Sequence, residues 1–227
     1  MPIGPWVARI VDLAIGVLAP PRCSACDASV GLLAAFCPDC ARQIETGAPG
    51  DDVLAGFVYG GPIARAIALL KYGGRADLAR PLGDLLWRTV EPHTRDLQDA
   101  IVVPVPLHPR RLSERGYNQA ALLGQRVAHH LGVRLDARVL ARVRDTPHQV
   151  NLSAVDRHTN VSQAFRARRS KKHLIDTHAL LVDDVLTTGA TLRACALALE
   201  EAGVSRITRA VLAFSPSAAH LGPAGVS

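Results

Sequence analysis

Residues 180–191 read Leu180-Leu181-Val182-Asp183-Asp184-Val185-Leu186-Thr187-Thr188-Gly189-Ala190-Thr191. These are residue types from which an anion site is built. The apolar run predicts a buried strand over residues 179–182, and a helix is expected over residues 191–202, stopping near Gly203. A strand that delivers its end to the carboxyl edge of an open α/β sheet delivers it to where such sheets bind ligands. The following helix offers unpaired N–H groups and a positive dipole end to an anion. Gly189 lets the backbone come close. Thr187, Thr188 and Thr191 add hydroxyl donors, and Ala190 takes no room. This is a cradle for a monophosphate. It has neither the lysine nor the glycine spacing of a Walker loop, and it is not G-x-G-x-x-G.

The acid pair narrows the ligand. Asp183 and Asp184 would repel a phosphate unless they face sugar hydroxyls or a metal. A ribose 5-phosphate satisfies both halves, with its phosphate on the threonines and its hydroxyls on the aspartates. Mg²⁺ bridging the hydroxyls and a pyrophosphate would offset the remaining charge, with Asp183 and Asp184 as its ligands, directly or through water. A buried strand that ends in two acids before an ordinarily capped helix would look the same over a few residues.

Other elements must hold this loop in place. A chain of 227 residues suffices for one α/β domain and a small accessory module. Strands are expected over residues 53–59, 100–105, 139–143 and 206–214, and helices over 62–70, 76–90 and 118–131, the last stopping at Gly132. This alternation predicts an α/β fold with a mostly parallel sheet flanked by helices. Residues 46–52 read as a linker, residues 145–163 as a long polar loop, and the tail from Ser215 as frayed. The expected domains are therefore 1–47, 53–215 and a tail of 216–227.

Cys23-x-x-Cys26 and Cys37-x-x-Cys40 form a second constellation. Two such knuckles set four thiolates at tetrahedral reach, which favours a structural Zn²⁺ over disulfides or iron. Such a closed site has no vacancy for catalysis. Cys195 falls in the helix after the phosphate loop and reads as a core residue.

Composition excludes rather than identifies. Formal net charge is +6, and only Lys71, Lys171 and Lys172 are lysines. Arginine suits phosphate because its fork donates two parallel hydrogen bonds, but charge alone does not separate a polyphosphate ligand from nucleic acid. Arg22 and Arg42 flank the cysteine module, too few to argue for DNA. Ile3, Val7, Ile10, Val11 and Ala14 fall at helical spacing, which predicts an amphipathic helix docked on the rest of the protein, and the stretch also holds Arg9 and Asp12. It is too short and too charged for a membrane span and lacks the pattern of a signal peptide. The expectation is a cytoplasmic protein.

Further blocks carry a resemblance. Residues 70–73 read Leu-Lys-Tyr-Gly, and residues 102–119 read Val-Val-Pro-Val-Pro-Leu-His-Pro-Arg-Arg-Leu-Ser-Glu-Arg-Gly-Tyr-Asn-Gln. Arg142, Thr146, Gln149, Arg157, Asn160 and Ala164-Phe165 follow, and the acid-threonine loop matches the signature of type I phosphoribosyltransferases. Together with the cysteine module, these blocks resemble the ComF family of competence-associated proteins over nearly the whole chain. The resemblance implies a type I phosphoribosyltransferase fold with a small N-terminal zinc-ribbon-like module. It implies phosphoribosyl pyrophosphate (PRPP) as ligand, Mg²⁺ with it, and transfer of the phosphoribosyl group to an acceptor nucleophile. It also implies a link to DNA uptake, with DNA-uptake or helicase proteins as partners. A non-catalytic adaptor or PRPP sensor is the competing reading.

In such folds the loop after the first core strand holds pyrophosphate. Here that place is residues 106–115, with Arg110, Arg111 and Arg115 as diphosphate ligands or as a solvated basic turn. Lys71 reads as a further phosphate ligand or a surface lysine. The 145–163 loop fits a hood closing over PRPP, with Gln149 and Arg157 on the diphosphate, and it holds no lysine where many such enzymes have one. The chain lacks an N-terminal cysteine nucleophile for glutamine-dependent amination.

Overall fold

The computed structural model describes residues 21–31, 33–50, 53–143, 164–168 and 174–216. The helix expected near residues 3–14, the 145–163 loop with Gln149 and Arg157, and all but the start of the tail lie outside them. The centre is a four-stranded sheet of β1 (Leu54–Val58), β2 (Ala100–Pro104), β5 (His178–Leu186) and β6 (Arg206–Phe214), in the order β1-β6-β5-β2. Every pairing is parallel. A separate antiparallel pair, β3 (Leu140–Arg142) and β4 (Phe165–Ala167), lies beyond it.

Strand β5 shows why a fully covered parallel sheet reads as a continuous apolar run. Leu180 and Val182 pack into one core, Ala179 and Leu181 into the other. The first core is closed by α2 (Gly61–Tyr72), α3 (Ala79–Val90) and α5 (Gln119–Leu131), through Ile63, Ile67, Leu82, Leu86, Leu123 and Val127. The second is closed by α6 (Ala190–Glu201) and the β3–β4 pair, through Leu192, Cys195, Leu199, Leu140 and Phe165. No helix among the described residues is long and apolar enough to cross a membrane.

The structure extends or changes several expectations. Strand β5 runs to Leu186, through both aspartates, because β6 supplies ladder partners as far as Phe214. The turn expected at residues 106–115 is mostly helix: α4 (Pro109–Arg115) starts with Pro109 behind His108, whose Nδ1 accepts from the Arg110 N–H at 3.4 Å, and stops at Gly116 with φ 82°. Residues 91–97 form a 3₁₀ stretch and residues 165–167 a strand, neither expected. Part of the 46–52 linker pairs with the sheet edge, Thr46 bridging Phe57 and the Val58 N–H donating to the Glu45 carbonyl at 2.9 Å.

The cysteine segment, with the short helix α1 (Pro38–Ala41), is packed into the body. Cys23, Ala25, Phe36, Cys37 and Cys40 share one core with Ile63, Ala66 and Leu70 of α2. Arg75 clips the two, with Nη1 3.3 Å from Asp27 Oδ1 and Nη2 2.8 Å from Asp77 Oδ2.

Helices α3 and α5 cross closely at Gly83. A Cβ there would stand 2.7 Å from Cβ and Cγ of Arg126, whose guanidinium is held on Asp84 at 2.7 Å. Gly83→Ala is therefore expected to destabilise the protein by about 1–3 kcal/mol in urea unfolding, although alanine favours helix. A stabilised variant would show that this crossing is looser than described.

Candidate functional site

The carboxyl ends of β2 and β5 lie side by side, Pro104 opposite Val182 in the ladder. Beyond β5 come the exposed Thr187 and Thr188, then Gly189 at φ 73°, which caps α6. The Thr188 hydroxyl accepts from the Ala190 N–H at 3.4 Å. Thr191 and Ala190 are half-buried in the first turn. The cradle residues of the sequence thus open a helix of 12 residues, at the sheet edge where the fold binds ligands.

The two aspartates do not act as one clamp. Because β5 continues through them, their side chains leave on opposite faces. Asp184 is 4% exposed and meets Lys71 of α2, with Nζ 2.8 Å from Oδ2. That oxygen is buried, and the Lys71 ammonium is the group that compensates it. Burial alone would lower the Lys71 pKa, but Asp184 outweighs it and the value is raised. Lys71 is therefore not a surface lysine.

Asp183 keeps partial solvent access on the other face, and its Oδ1 accepts from the Asp184 N–H at 2.9 Å. It lies within electrostatic reach of Arg142 on β3 and of buried Cys195. Burial and the charge of Asp184 push its pKa up to about 7, against the pull of Lys71, its neighbour's N–H and Arg142. A Mg²⁺ ligated by both carboxylates does not fit this arrangement, since one faces away and is already neutralised by a lysine.

Beside Lys71 opens a cleft of about 490 Å³ between the end of α2 and helix α4, lined by Lys71, Tyr72, Arg111, Glu114, Arg115 and Tyr117. Three cations and one carboxylate make it attractive to a diphosphate. Arg115 donates to Gln119 and lies over the Tyr72 ring at 5.2 Å. The Tyr117 hydroxyl donates to the Leu70 carbonyl at 2.5 Å, and Asn118 ties the next turn to the residue after β2 through a 3.0 Å bond from Nδ2 to the Val105 carbonyl. Arg110 stays outside the cleft, 75% exposed, in a surface pair with Glu114 at 3.0 Å. Gln149 and Arg157 lie outside the described residues.

Three residues here escaped the sequence argument. Tyr72 and Tyr117 adjoin Lys71 and Arg115 in the sequence, where only the basic residues point to a phosphate. Arg193 folds back so that Nη2 donates to the Thr188 carbonyl at 3.0 Å. Its only signal was a position four residues after Gly189 on a helix.

The four thiols Cys23, Cys26, Cys37 and Cys40 come together with every sulfur within 4.8 Å of the others. The Cys26 and Cys37 sulfurs are 3.6 Å apart. Sulfurs on a tetrahedral zinc, with Zn–S of about 2.3 Å, stand about 3.8 Å apart, so the set fits that metal. Burial and the neighbouring thiols push Cys40 up to about 12. Cys23 falls to about 6 despite its burial, drawn down by backbone hydrogen bonds at Cys37, Ala25 and Cys26. A bound cation would relieve that crowding.

Residues 118–221 match the phosphoribosyl transferase domain family. The chain is 35% identical over 191 residues to competence protein F of Haemophilus influenzae, covering 82% of each chain. The chain belongs to the ComF family of phosphoribosyltransferase-like proteins. Other relatives are the DNA utilization protein YhgH of Escherichia coli, 31% identical across 89% of this chain and 92% of that one, and competence protein ComFC of Bacillus subtilis, 27% identical across 65% and 57%. A purine phosphoribosyltransferase of Pyrococcus horikoshii aligns at TM-score 0.39 with 18% identity, over 60% of this chain and 74% of that chain. This ComF member has the type I phosphoribosyltransferase fold: a parallel sheet flanked by helices, with a four-cysteine cluster in its N-terminal region.

Two outcomes follow. Wild-type protein is expected to carry one zinc per chain by metal analysis, and Cys37→Ser with Cys40→Ser to carry none. Because the cluster shares the core of α2, a loss of about 3 kcal/mol should lower Tm by about 6–12 °C. An unchanged Tm would separate the cluster from the body. The raised Asp183 pKa has a defined sign: the folded state holds its proton more tightly than the unfolded chain, so stability is lost as pH rises from its ordinary 3.8 towards about 7. Asp183→Asn should flatten that slope in denaturant titrations across the window, and an unaltered slope would contradict the assignment.

Proposed function

We propose that this chain binds PRPP and is built as a phosphoribosyltransferase. The 5-phosphate would rest on Thr187, Thr188, Gly189, Ala190 and Thr191. The ribose would lie against the exposed side of the acid pair, and the diphosphate in the cleft of Lys71, Arg111 and Arg115. The observation that carries this reading is the juxtaposition of an open helix N-terminus, a carboxylate pair and a cation-lined cleft at one edge of a parallel sheet. A sugar carrying a monophosphate at one end and a diphosphate at the other matches that order of charges. Attack of an acceptor nucleophile on C1 would break the bond to the diphosphate and release pyrophosphate. Arg115 and Gln119 hold each other in the cleft wall, so Arg115 is placed to stabilise that leaving group. Arg157 and Gln149 would complete the cover.

The relatives are named for competence and DNA utilization. This supports a place for the chain in the uptake or handling of DNA, with DNA-uptake or helicase proteins as partners. One observation favours a second reading, a PRPP sensor without turnover: Asp184 is buried in an ion pair with Lys71 rather than open to a sugar hydroxyl. Pyrophosphate release measured across a panel of bases and amines separates the two. Turnover that disappears in Asp183→Asn supports the enzyme. Tight PRPP binding with no release across the panel supports the sensor.

The cradle is tested by calorimetry with PRPP. At Gly189 a Cβ would impose a left-handed backbone on a non-glycine residue and stand 3.0 Å from Arg193 Nη1. Gly189→Ala is expected to weaken binding about tenfold or more with the fold retained, and Thr188→Asp to abolish it by placing a carboxylate in the anion's seat. Equal heats from the wild type and both variants would remove the site from this loop.

A further inference from the structure

The cation that faces the acid pair belongs to the protein itself. Lys71 reaches the carboxyl edge of β5 from the last turn of α2, and its ammonium stands 2.8 Å from Asp184 Oδ2. Asp184 is 4% exposed while Lys71 is 21% exposed, so the pair is buried on the carboxylate side and open on the ammonium side. That open side lines the same cleft as Arg111 and Arg115. An ammonium has three donors, and Asp184 engages one end of it; the others remain for oxygens in the cleft. Arg115 is held there by Gln119 and by the Tyr72 ring, neither of which neutralises it. Among the described residues lining the cleft the one carboxylate is Glu114, and it is paired with Arg110.

We propose that Lys71, anchored on Asp184, is a built-in counter-cation of the diphosphate subsite, so that this chain binds a diphosphate-bearing sugar phosphate without requiring a divalent metal. The proposal rests on the PRPP reading above and adds to it the source of the neutralising charge. Three protein cations converge where a metal would otherwise compensate the diphosphate. The acid best buried for holding such a metal is instead spent on fixing a lysine. Anchoring also lowers the entropy lost when a long side chain grips a ligand, because Lys71 is already ordered.

The test is calorimetric titration with PRPP in excess EDTA and again in excess Mg²⁺. Wild-type protein is expected to bind with similar affinity in both. Lys71→Met should bind about tenfold or more weakly in EDTA, and Mg²⁺ should restore most of that loss. Because Lys71→Met leaves a buried carboxylate unpaired, the double variant Lys71→Met with Asp184→Asn is measured beside it; it removes both charges and should show the same metal dependence in a folded protein. Lys71→Arg should rescue binding in EDTA. A wild type that binds only with Mg²⁺ would overturn the proposal while leaving the PRPP site standing. A Lys71 variant weakened equally in EDTA and Mg²⁺ would reduce Lys71 to a structural role and overturn it as well. No binding by the wild type in either buffer would instead refute the PRPP reading itself.

Discussion

A buried carboxylate must be compensated, and at the centre of this protein Lys71 compensates Asp184. The two residues lie on different elements, α2 and β5, that the sequence separates by more than a hundred positions. Their contact fixes where the end of α2 stands against the carboxyl edge of the sheet. The rest of the site follows from it. The cleft between α2 and α4 exists because α2 ends there, and Tyr117 reinforces the same end by donating to the Leu70 carbonyl. Cys23, Cys37 and Cys40 share a core with Ile63, Ala66 and Leu70 of α2, so the cysteine cluster and Asp184 both bear on one helix. A module that looks accessory in sequence thereby packs on the helix that carries Lys71.

The sheet divides the work between its faces. Through strand alternation, Asp184 is committed to the α2 side and Asp183 to the side of Arg142, α6 and Cys195. One acid is spent on architecture and keeps a cation in place. The other keeps partial solvent access, and burial and the charge of Asp184 raise its pKa. The helix opening beyond them is simpler, consisting of a glycine in a left-handed conformation, small side chains and the first turn of α6, where the Ala190 N–H is capped by the Thr188 hydroxyl. Arg193 adds a restraint by holding the Thr188 carbonyl. A planar peptide held by its carbonyl turns the following Gly189 N–H the opposite way.

Much of this was legible in the sequence, because period and punctuation carried it. The strand-helix alternation gave the parallel sheet, Gly132 ended α5, and the acid-threonine loop stood at a strand-helix junction. The two cysteine knuckles announced one cluster. What stayed hidden depended on tertiary contact. Lys71 looks like any helix-end lysine until a carboxylate from a distant strand meets it. Strand β5 outruns its apolar stretch because β6 supplies partners, and that extension splits the aspartates between two faces. The short helix α4 was read as a turn because its two turns are polar and bury no residue; only Pro109 and Gly116 mark its ends. Arg110, grouped with Arg111 and Arg115 by sequence, is turned outward by its own i,i+4 partner.

One ligand is expected to span the opening of helix α6 and the Lys71 cleft. The most direct measurement is a crystal structure of the protein with PRPP bound. The 5-phosphate is expected on the N–H groups of residues 189–191 and the diphosphate beside Lys71, Arg111 and Arg115, with Lys71 still on Asp184. A diphosphate bound elsewhere, or Lys71 displaced by a metal shared between Asp183 and Asp184, would contradict it.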